Sequence, residues 1–183
     1  DGVTPLTRTA TNHFDRYFLG FEGNALPDIH LNAQVGVTSH DYNQDFGGVR
    51  DPEDLFLDLA GTWKITASDE LQLRANQART GASTGTNSML ATSAQLSWRH
   101  RFNKAWSGTL SARAAQQDYD PSTRDDVSYT GTAGLSWKMT PDLTWNFTAT
   151  QEAGRNVHSG KTAAFEDQAA FNRTFVSLGL DWK

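Results

Sequence analysis

Several basic residues lie at positions that would share one face of their β-strands. Arg99 and Arg101 are two residues apart, and Arg113 has the same phase in the segment that follows. Residues two apart share a face of a β-strand, and cationic groups gathered on one face concentrate anions. The basic stripe predicted on this face comprises Arg74, Arg99, Arg101, Arg113, Lys64, Lys138, Arg173 and Arg16.

Acidic residues are fewer on that face, although the whole chain has a formal net charge of −5. The compensating carboxylates are expected in connecting loops, in clusters within 41–54 and 118–126. We predict that the stripe is accessible to solvent and sets a preference for anions. Alternatively, the basic side chains pair with carboxylates in ladders across a plugged interior. The acidic residues predicted on the face are Glu22, Asp58, Glu152 and Asp181, with Glu152 and Asp58 as the nearest partners.

Other reactive patterns are weak. The histidines lack the pair spacing of a zinc site, the aspartate clusters lack EF-hand spacing, and the chain has neither cysteine nor a glycine-rich phosphate loop. Ser39-His40 and His158-Ser159 would lie near one rim, but adjacent strand residues point to opposite faces and do not form a dyad. The sequence predicts no enzyme, no catalytic residue, no metal site and no cofactor.

The elements that would hold the basic residues are strands of unusual length. From 88 to 120 the chain alternates apolar and polar residues on both sides of a short turn at 102–105. Such alternation predicts β-strands with two chemically different faces. Ordinary globular strands have about five or six residues, whereas a tilted strand that crosses a bilayer needs roughly 9–11. The length therefore favours a transmembrane β-barrel.

Nine such strands are predicted in residues 13–183, and residues 1–12 are expected to be an extracellular loop or tail. Hydrophobic residues make up 37% of the chain, and the mean hydropathy is −0.58. No run approaches the ~18 consecutive apolar residues of a transmembrane helix. Barrels do not need one, since only every second residue faces lipid. The predicted fold class is all-β, an antiparallel transmembrane β-barrel.

The predicted connections alternate between short and long. Outer-membrane barrels have short periplasmic turns and longer extracellular loops. A soluble β-sandwich also shows apolar–polar alternation, but has no reason to gather its long loops at one end. The short turns are expected at 24–28, 67–70, 102–105 and 139–142, and the longer loops at 40–53, 80–88, 118–126 and 155–169.

Tryptophan supports the membrane interpretation independently. All six tryptophans fall on the predicted apolar face, close to the short-turn end or the end of the chain. Amphipathic aromatic rings collect at membrane–water interfaces and form girdles around barrels. The predicted aromatic girdle comprises Trp63, Trp98, Trp106, Trp137, Trp145 and Trp182.

The number of strands raises a question of completeness. Single-chain bacterial barrels have an even number of strands, and nine is odd. A tenth strand at 3–10 is disfavoured by Pro5. We therefore expect this chain to be the C-terminal part of a larger, even-stranded barrel, with residues 1–12 outside the cell.

Three segments carry a resemblance to a known family. Residues 14–23 and 170–182 contain an aromatic–Asp/Asn–Arg run, the second before a Leu-Gly-Leu strand, and 35–43 ends on Asp-Tyr-Asn. They resemble the Putative beta-barrel porin 2 family of outer-membrane barrels linked to exopolysaccharide export. The similarity spans most of 13–183. It implies a pore and a polysaccharide substrate, but the chain lacks the N-terminal strands of such proteins, so pore size does not follow.

Together these patterns predict a barrel in the bacterial outer membrane that acts as a pore or conduit for export or passage of polysaccharide or anionic solutes. The alternatives are a structural or adhesive barrel whose extracellular loops bind a partner, and a lipid-modifying enzyme at the rim. The expected partners are membrane lipid and lipopolysaccharide, a polysaccharide or anionic solute, and other envelope export components. The negative net charge argues against nucleic acid.

Overall fold

The computed structural model describes residues 12–42, 53–81, 88–120, 124–158 and 170–182. The described residues form nine strands and tight turns, without a helix. Consequently no described helix is long and apolar enough to cross a membrane. The strands are β1 (Asn12–Leu26), β2 (Ile29–Tyr42), β3 (Glu53–Lys64), β4 (Asp69–Gly81), β5 (Ser88–Arg101), β6 (Trp106–Asp120), β7 (Arg124–Lys138), β8 (Leu143–His158) and β9 (Phe171–Trp182).

The nine strands form one antiparallel sheet in the order of the sequence. Every strand pairs with its sequence neighbours; β5 and β6, for example, pair without a break from Ser88–Asp120 to Arg101–Ser107. Strands β1 and β9 lie at the two edges, and the described sheet is not closed. The predicted all-β, antiparallel architecture of nine strands is confirmed.

Tight turns connect β1 to β2, β3 to β4, β5 to β6 and β7 to β8, all at one end of the sheet. Asparagine in the β5–β6 turn stabilises it, since Asn103 Oδ1 accepts hydrogen bonds from the backbone N–H groups of Ala105 and Trp106 at 2.8 and 2.9 Å. In the β3–β4 turn the Thr66 hydroxyl accepts bonds from the N–H groups of Ser68 and Asp69. The prediction of short turns at one end is confirmed, and we call this the short-turn end.

Backbone hydrogen bonds join successive hairpins at the short-turn end. Each bond runs from the last residue of an odd-numbered strand to a carbonyl in the turn of the preceding hairpin. Their donors and acceptors are Lys64 and Asp28 at 2.9 Å, Arg101 and Ser68 at 2.8 Å, and Lys138 and Ala105 at 2.7 Å.

The two faces of the sheet differ in the sense expected of a membrane wall. In β7 the odd-numbered residues from Tyr129 to Leu135 are exposed, whereas the even-numbered residues between them are half-buried. Leu19 and Val176 are 81% and 80% exposed. A soluble sheet buries its apolar face against a second layer, and the described residues contain one sheet and no such layer. The exposed apolar face is the one that the sequence pattern assigns to lipid, and the polar face is the predicted inner side.

Candidate functional site

The polar face carries the predicted basic residues in two layers. Arg74 lies opposite Gln95 on β5, and Gln95 lies opposite Arg113 on β6, so these two arginines share one row across the sheet. Arg99 lies four residues from Gln95 on β5, about 13 Å closer to the short-turn end at about 3.3 Å per residue. The row between them contains the neutral Ser97. Arg74 and Arg113 thus lie in an upper row, and Arg99 and Arg101 occupy two successive levels of a lower group.

The upper layer, the row that contains Arg74 and Arg113, continues to the edge of the sheet. From Arg113 the register leads through Thr130 and Glu152 to Arg173 on β9. Glu152 and Arg173 face each other, yet they form no ion pair. The Arg173 guanidinium lies instead 4.2 Å from the centroid of the Phe171 ring, which is within the range of a cation–π interaction.

The lower layer is formed by Lys64, Arg99 and Arg101, which lie near the short-turn end. They are the basic residues that line a cavity of about 490 Å³, which we call the short-turn cavity. Glu70, which the sequence pattern assigns to a turn, is the second residue of β4 and lines the cavity as well. The remaining lining residues are Thr66, Ala67, Ser68, Asp69, Ser107, Thr109 and Ser136.

Most cations of the polar face have no carboxylate partner in the described part of the chain. Asp58 and Glu152, the partners expected from the sequence, form no ion pair with them. Glu70 lies between Lys64 and Arg99 in the register. Its Oε1 atom nevertheless accepts a hydrogen bond from Gln72 Nε2 at 2.8 Å. The basic residues without an ion pair among the described residues are Lys64, Arg74, Arg99, Arg101, Arg113, Lys138 and Arg173.

Arg16 is held differently, beside aromatic rings on the polar face. Its guanidinium lies 4.1 Å from the Phe56 centroid, and its Nε donates a hydrogen bond to Thr38 Oγ1 at 3.1 Å. Phe56 and Thr38 are buried, with 8% and 3% of their surface exposed. Gly154 is the other buried residue in the described part of the chain. Phe18 packs edge-on against Phe56. These aromatic residues break the apolar–polar alternation, and parity alone therefore could not predict the contact.

An ion pair between Arg79 and Asp54 was not predicted from the sequence. Arg79 Nη2 donates to Asp54 Oδ1 at 3.0 Å, and its Nε contacts the other carboxylate oxygen. The side chains are only 7% and 11% exposed. The pair lies beyond Leu57–Gln77, the last residue pair in the register of β3 and β4. It holds the two strands together where their backbones no longer pair.

Neutral side chains on the polar face form hydrogen-bonded ladders. Ser136 Oγ donates to Asn146 Oδ1, and Asn146 Nδ2 donates to Asp181 Oδ2, both at 2.6 Å, across β7, β8 and β9. Thr132 and Thr150 hydroxyls are 3.2 Å apart. Asp181, one of the predicted acids, is therefore engaged by an amide. The ladders hold the wall without using the basic residues.

The tryptophans lie on the apolar face towards the short-turn end. Trp106 and Trp137 stack with centroids 5.4 Å apart and an interplanar angle of 4°. Trp98 Nε1 donates to Asp69 Oδ1 at 3.1 Å, and His100 Nδ1 lies 2.7 Å from the same oxygen. Trp145 faces Trp137 in the register, Trp63 is the last residue but one of β3, and Trp182 ends β9. Their function as a membrane-interface girdle stays a prediction.

Some sequence predictions have a different outcome or lie outside the described part. The acidic clusters were expected in loops, but Glu53, Asp54, Asp118, Asp125 and Asp126 belong to strands β3, β6 and β7. The loop assignment is wrong for these residues, because the strands continue past the apolar alternation.

Neither metal chemistry nor rim catalysis can be located among the described residues. No group of three or more histidine, aspartate or glutamate side chains that could hold a metal occurs there. The side chains of His40 and His158, and all of Ser159, lie outside the described part of the chain.

Two solved structures are similar to the sheet. Outer-membrane expressed OmpT of Vibrio cholerae has a TM-score of 0.58 and 10% sequence identity, covering 94% of this chain and 56% of that one. In-vitro folded OmpT, an outer membrane protein of the same organism, has a TM-score of 0.60 at 10% identity, covering 93% and 55%. The chain thus spans just over half the length of these structures, and the likeness shows the fold. No curated protein matches the sequence.

A family model described as Putative beta-barrel porin 2 matches residues 31–180, which is most of the chain. The match agrees with the outer-membrane barrels found by structural similarity and with the lipid-facing apolar side of the sheet. The chain therefore belongs to the Putative beta-barrel porin 2 family and is a set of barrel strands of the bacterial outer membrane.

Proposed function

We propose that this chain is part of the wall of an outer-membrane pore, and that its polar face passes anionic solutes or an anionic polysaccharide. The observation that carries the proposal is that Arg74, Arg99, Arg101 and Arg113 form no ion pair among the described residues. A guanidinium that is not neutralised by a neighbouring carboxylate keeps its field available to a passing anion. The protein is not an enzyme in this proposal.

The neutral part of the polar face supports passage of a sugar polymer. Hydroxyl and amide groups such as those of Thr132, Thr150 and Asn146 already exchange hydrogen bonds along the wall. Such groups both donate and accept hydrogen bonds, and a hydrated sugar can exchange partners with them as it moves. This hydrogen-bonding surface is what supports a polysaccharide as the passing solute.

Conductance of the complete protein in planar bilayers tests the proposal. We expect open channels whose reversal potential under a KCl gradient shows a preference for chloride. A barrel that inserts but does not conduct would favour the structural or adhesive alternative. Replacing His40 and His158 with alanine should leave conductance unchanged; a lipid-modifying activity abolished by these changes would favour the rim enzyme.

A further inference from the structure

The short-turn cavity combines cations and hydroxyl donors on two adjacent strands. Arg99 lies opposite Thr109, and Arg101 lies opposite Ser107, in the register of β5 and β6. Directly opposed residues have Cβ atoms about 4.5–5.5 Å apart. Each arginine is therefore beside a hydroxyl, and the two pairs occupy consecutive levels of the same face. Lys64 adds a third cation from β3.

The carboxylates of the cavity are engaged by other groups. Glu70 accepts a hydrogen bond from Gln72. Asp69 accepts bonds from Thr66 at 2.7 Å and from Trp98 at 3.1 Å, and it contacts His100. Neither forms an ion pair with Lys64, Arg99 or Arg101. The three cations thus converge on one space without a carboxylate within ion-pair distance among the described residues.

The hydroxyl groups are free to donate. Those of Ser107 and Thr109 take part in no hydrogen bond with another described residue, whereas Ser136 donates to Asn146 at 2.6 Å. Two forked guanidinium groups, one ammonium and two hydroxyls supply more donors than the two oxygens of a carboxylate can accept. A tetrahedral oxyanion has enough acceptor oxygens for these donors, and its negative charge is attracted by the three cations.

We propose that the short-turn cavity is a binding site for a tetrahedral oxyanion of the phosphate class, carried by a small solute or by a phosphorylated polymer. Arg99 and Arg101 would hold the oxygens through forked hydrogen bonds, Thr109 and Ser107 would each donate one bond, and Lys64 would supply charge. The inference rests on the proposed function, because the site opens on the polar face. It deepens that function by naming the chemical group that is recognised.

The experiment uses inorganic phosphate and the complete protein in planar bilayers. Phosphate added on the short-turn side should block the chloride current along a saturable curve. Hydrogen bonds to a charged group are among the stronger ones, so Arg99→Gln combined with Arg101→Gln should raise the half-blocking phosphate concentration by at least about tenfold.

Matched single substitutions separate a local site from a general field. Lys64→Gln should weaken the block, whereas Lys104→Gln should not. Lys104 is an exposed lysine in the β5–β6 turn that does not line the cavity. Equal effects of the two substitutions would overturn the site, since loss of any positive charge would then suffice.

The remaining outcomes separate this site from the pore. Chloride-selective channels that phosphate does not block would overturn the site and leave the pore intact. If the protein does not conduct, the pore proposal fails, and ³¹P NMR titration of phosphate against the protein folded in detergent decides the site. Binding that the double substitution abolishes would support it, and absence of binding would overturn it. Methyl phosphate and a phosphorylated oligosaccharide, compared in the same titration, distinguish a small solute from a polymer.

Discussion

Arg99 lies opposite Glu70 in the register of β4 and β5, but Glu70 accepts its hydrogen bond from Gln72 at 2.8 Å and forms no ion pair with Arg99. A carboxylate placed beside a cation without neutralising it still weakens the positive field at that point. Glu70 therefore weakens the positive field of the short-turn cavity, while the Arg99 guanidinium stays available to bind an anion.

Glu70→Gln should raise anion selectivity. The substitution removes one negative charge from the short-turn cavity and keeps an amide that can still bond to Gln72. We expect a shift of the reversal potential towards that of chloride and a lower half-blocking phosphate concentration. A change of either quantity in the opposite direction would mean that Glu70 organises the arginines.

Replacing Arg99, Arg101 and Arg113 together with glutamine should reduce anion selectivity. These side chains are not ion-paired among the described residues, so their loss removes charge without leaving a carboxylate unpaired. The chloride-over-potassium permeability ratio should fall severalfold, while the heat-resistant band of the folded barrel in gel electrophoresis persists. Unchanged selectivity with loss of that band would show that the arginines are structural.

Asp54→Asn should destabilise the wall. The Arg79–Asp54 pair is almost buried, and breaking a buried ion pair by removing one carboxylate costs roughly 3–5 kcal/mol. Urea unfolding of the refolded barrel measures the loss. In a double-mutant cycle Asp54→Asn should add little to Arg79→Gln, and fully additive effects would contradict a direct coupling.

Leu96→Arg should destabilise the barrel much more than Ser111→Arg. Leu96 is 46% exposed on the apolar face, where the cost of an arginine falls from about 2–4 kcal/mol at the bilayer midplane towards the interfaces. Ser111 lies on the polar face of the adjacent strand, where the charge remains hydrated. Unfolding free energies in lipid vesicles give the comparison, and equal losses would contradict the assignment of the two faces.

The alternation of side chains along a β-strand explains which features of the sheet could be predicted from the sequence. Because a β-strand residue has one of two orientations, Leu96 and Arg99 receive their faces as soon as the strand is recognised. Asn103 marks its turn by a local hydrogen bond. The same reasoning cannot predict contacts that depend on register and divergence between strands. Arg79 meets Asp54 beyond Leu57–Gln77, the last residue pair in the register of β3 and β4.

The sequence predicts that Arg99 and Arg101 lie near the turn and that Arg74 and Arg113 lie one or two pleats higher, and the strand pairing gives the exact row of each. Arg74 and Arg113 share a level because both oppose Gln95, a relation that depends on two hairpin registers. Glu70 was missed because a residue at the end of a turn has no clear phase. The stacking of Arg16 on Phe56 was missed because both aromatic partners stand on the face that alternation reserves for polar residues.

The hydrogen bonds from Lys64 to Asp28, from Arg101 to Ser68 and from Lys138 to Ala105 repeat the same connection at every second strand. In each case a carbonyl in the turn of one hairpin accepts a hydrogen bond from the last residue of the first strand in the next hairpin. A hairpin is thus an interchangeable module, and duplication or deletion of one would leave matching connections on both sides. A wall of this kind can change its circumference during evolution in steps of two strands, and every step preserves the even count of single-chain bacterial barrels.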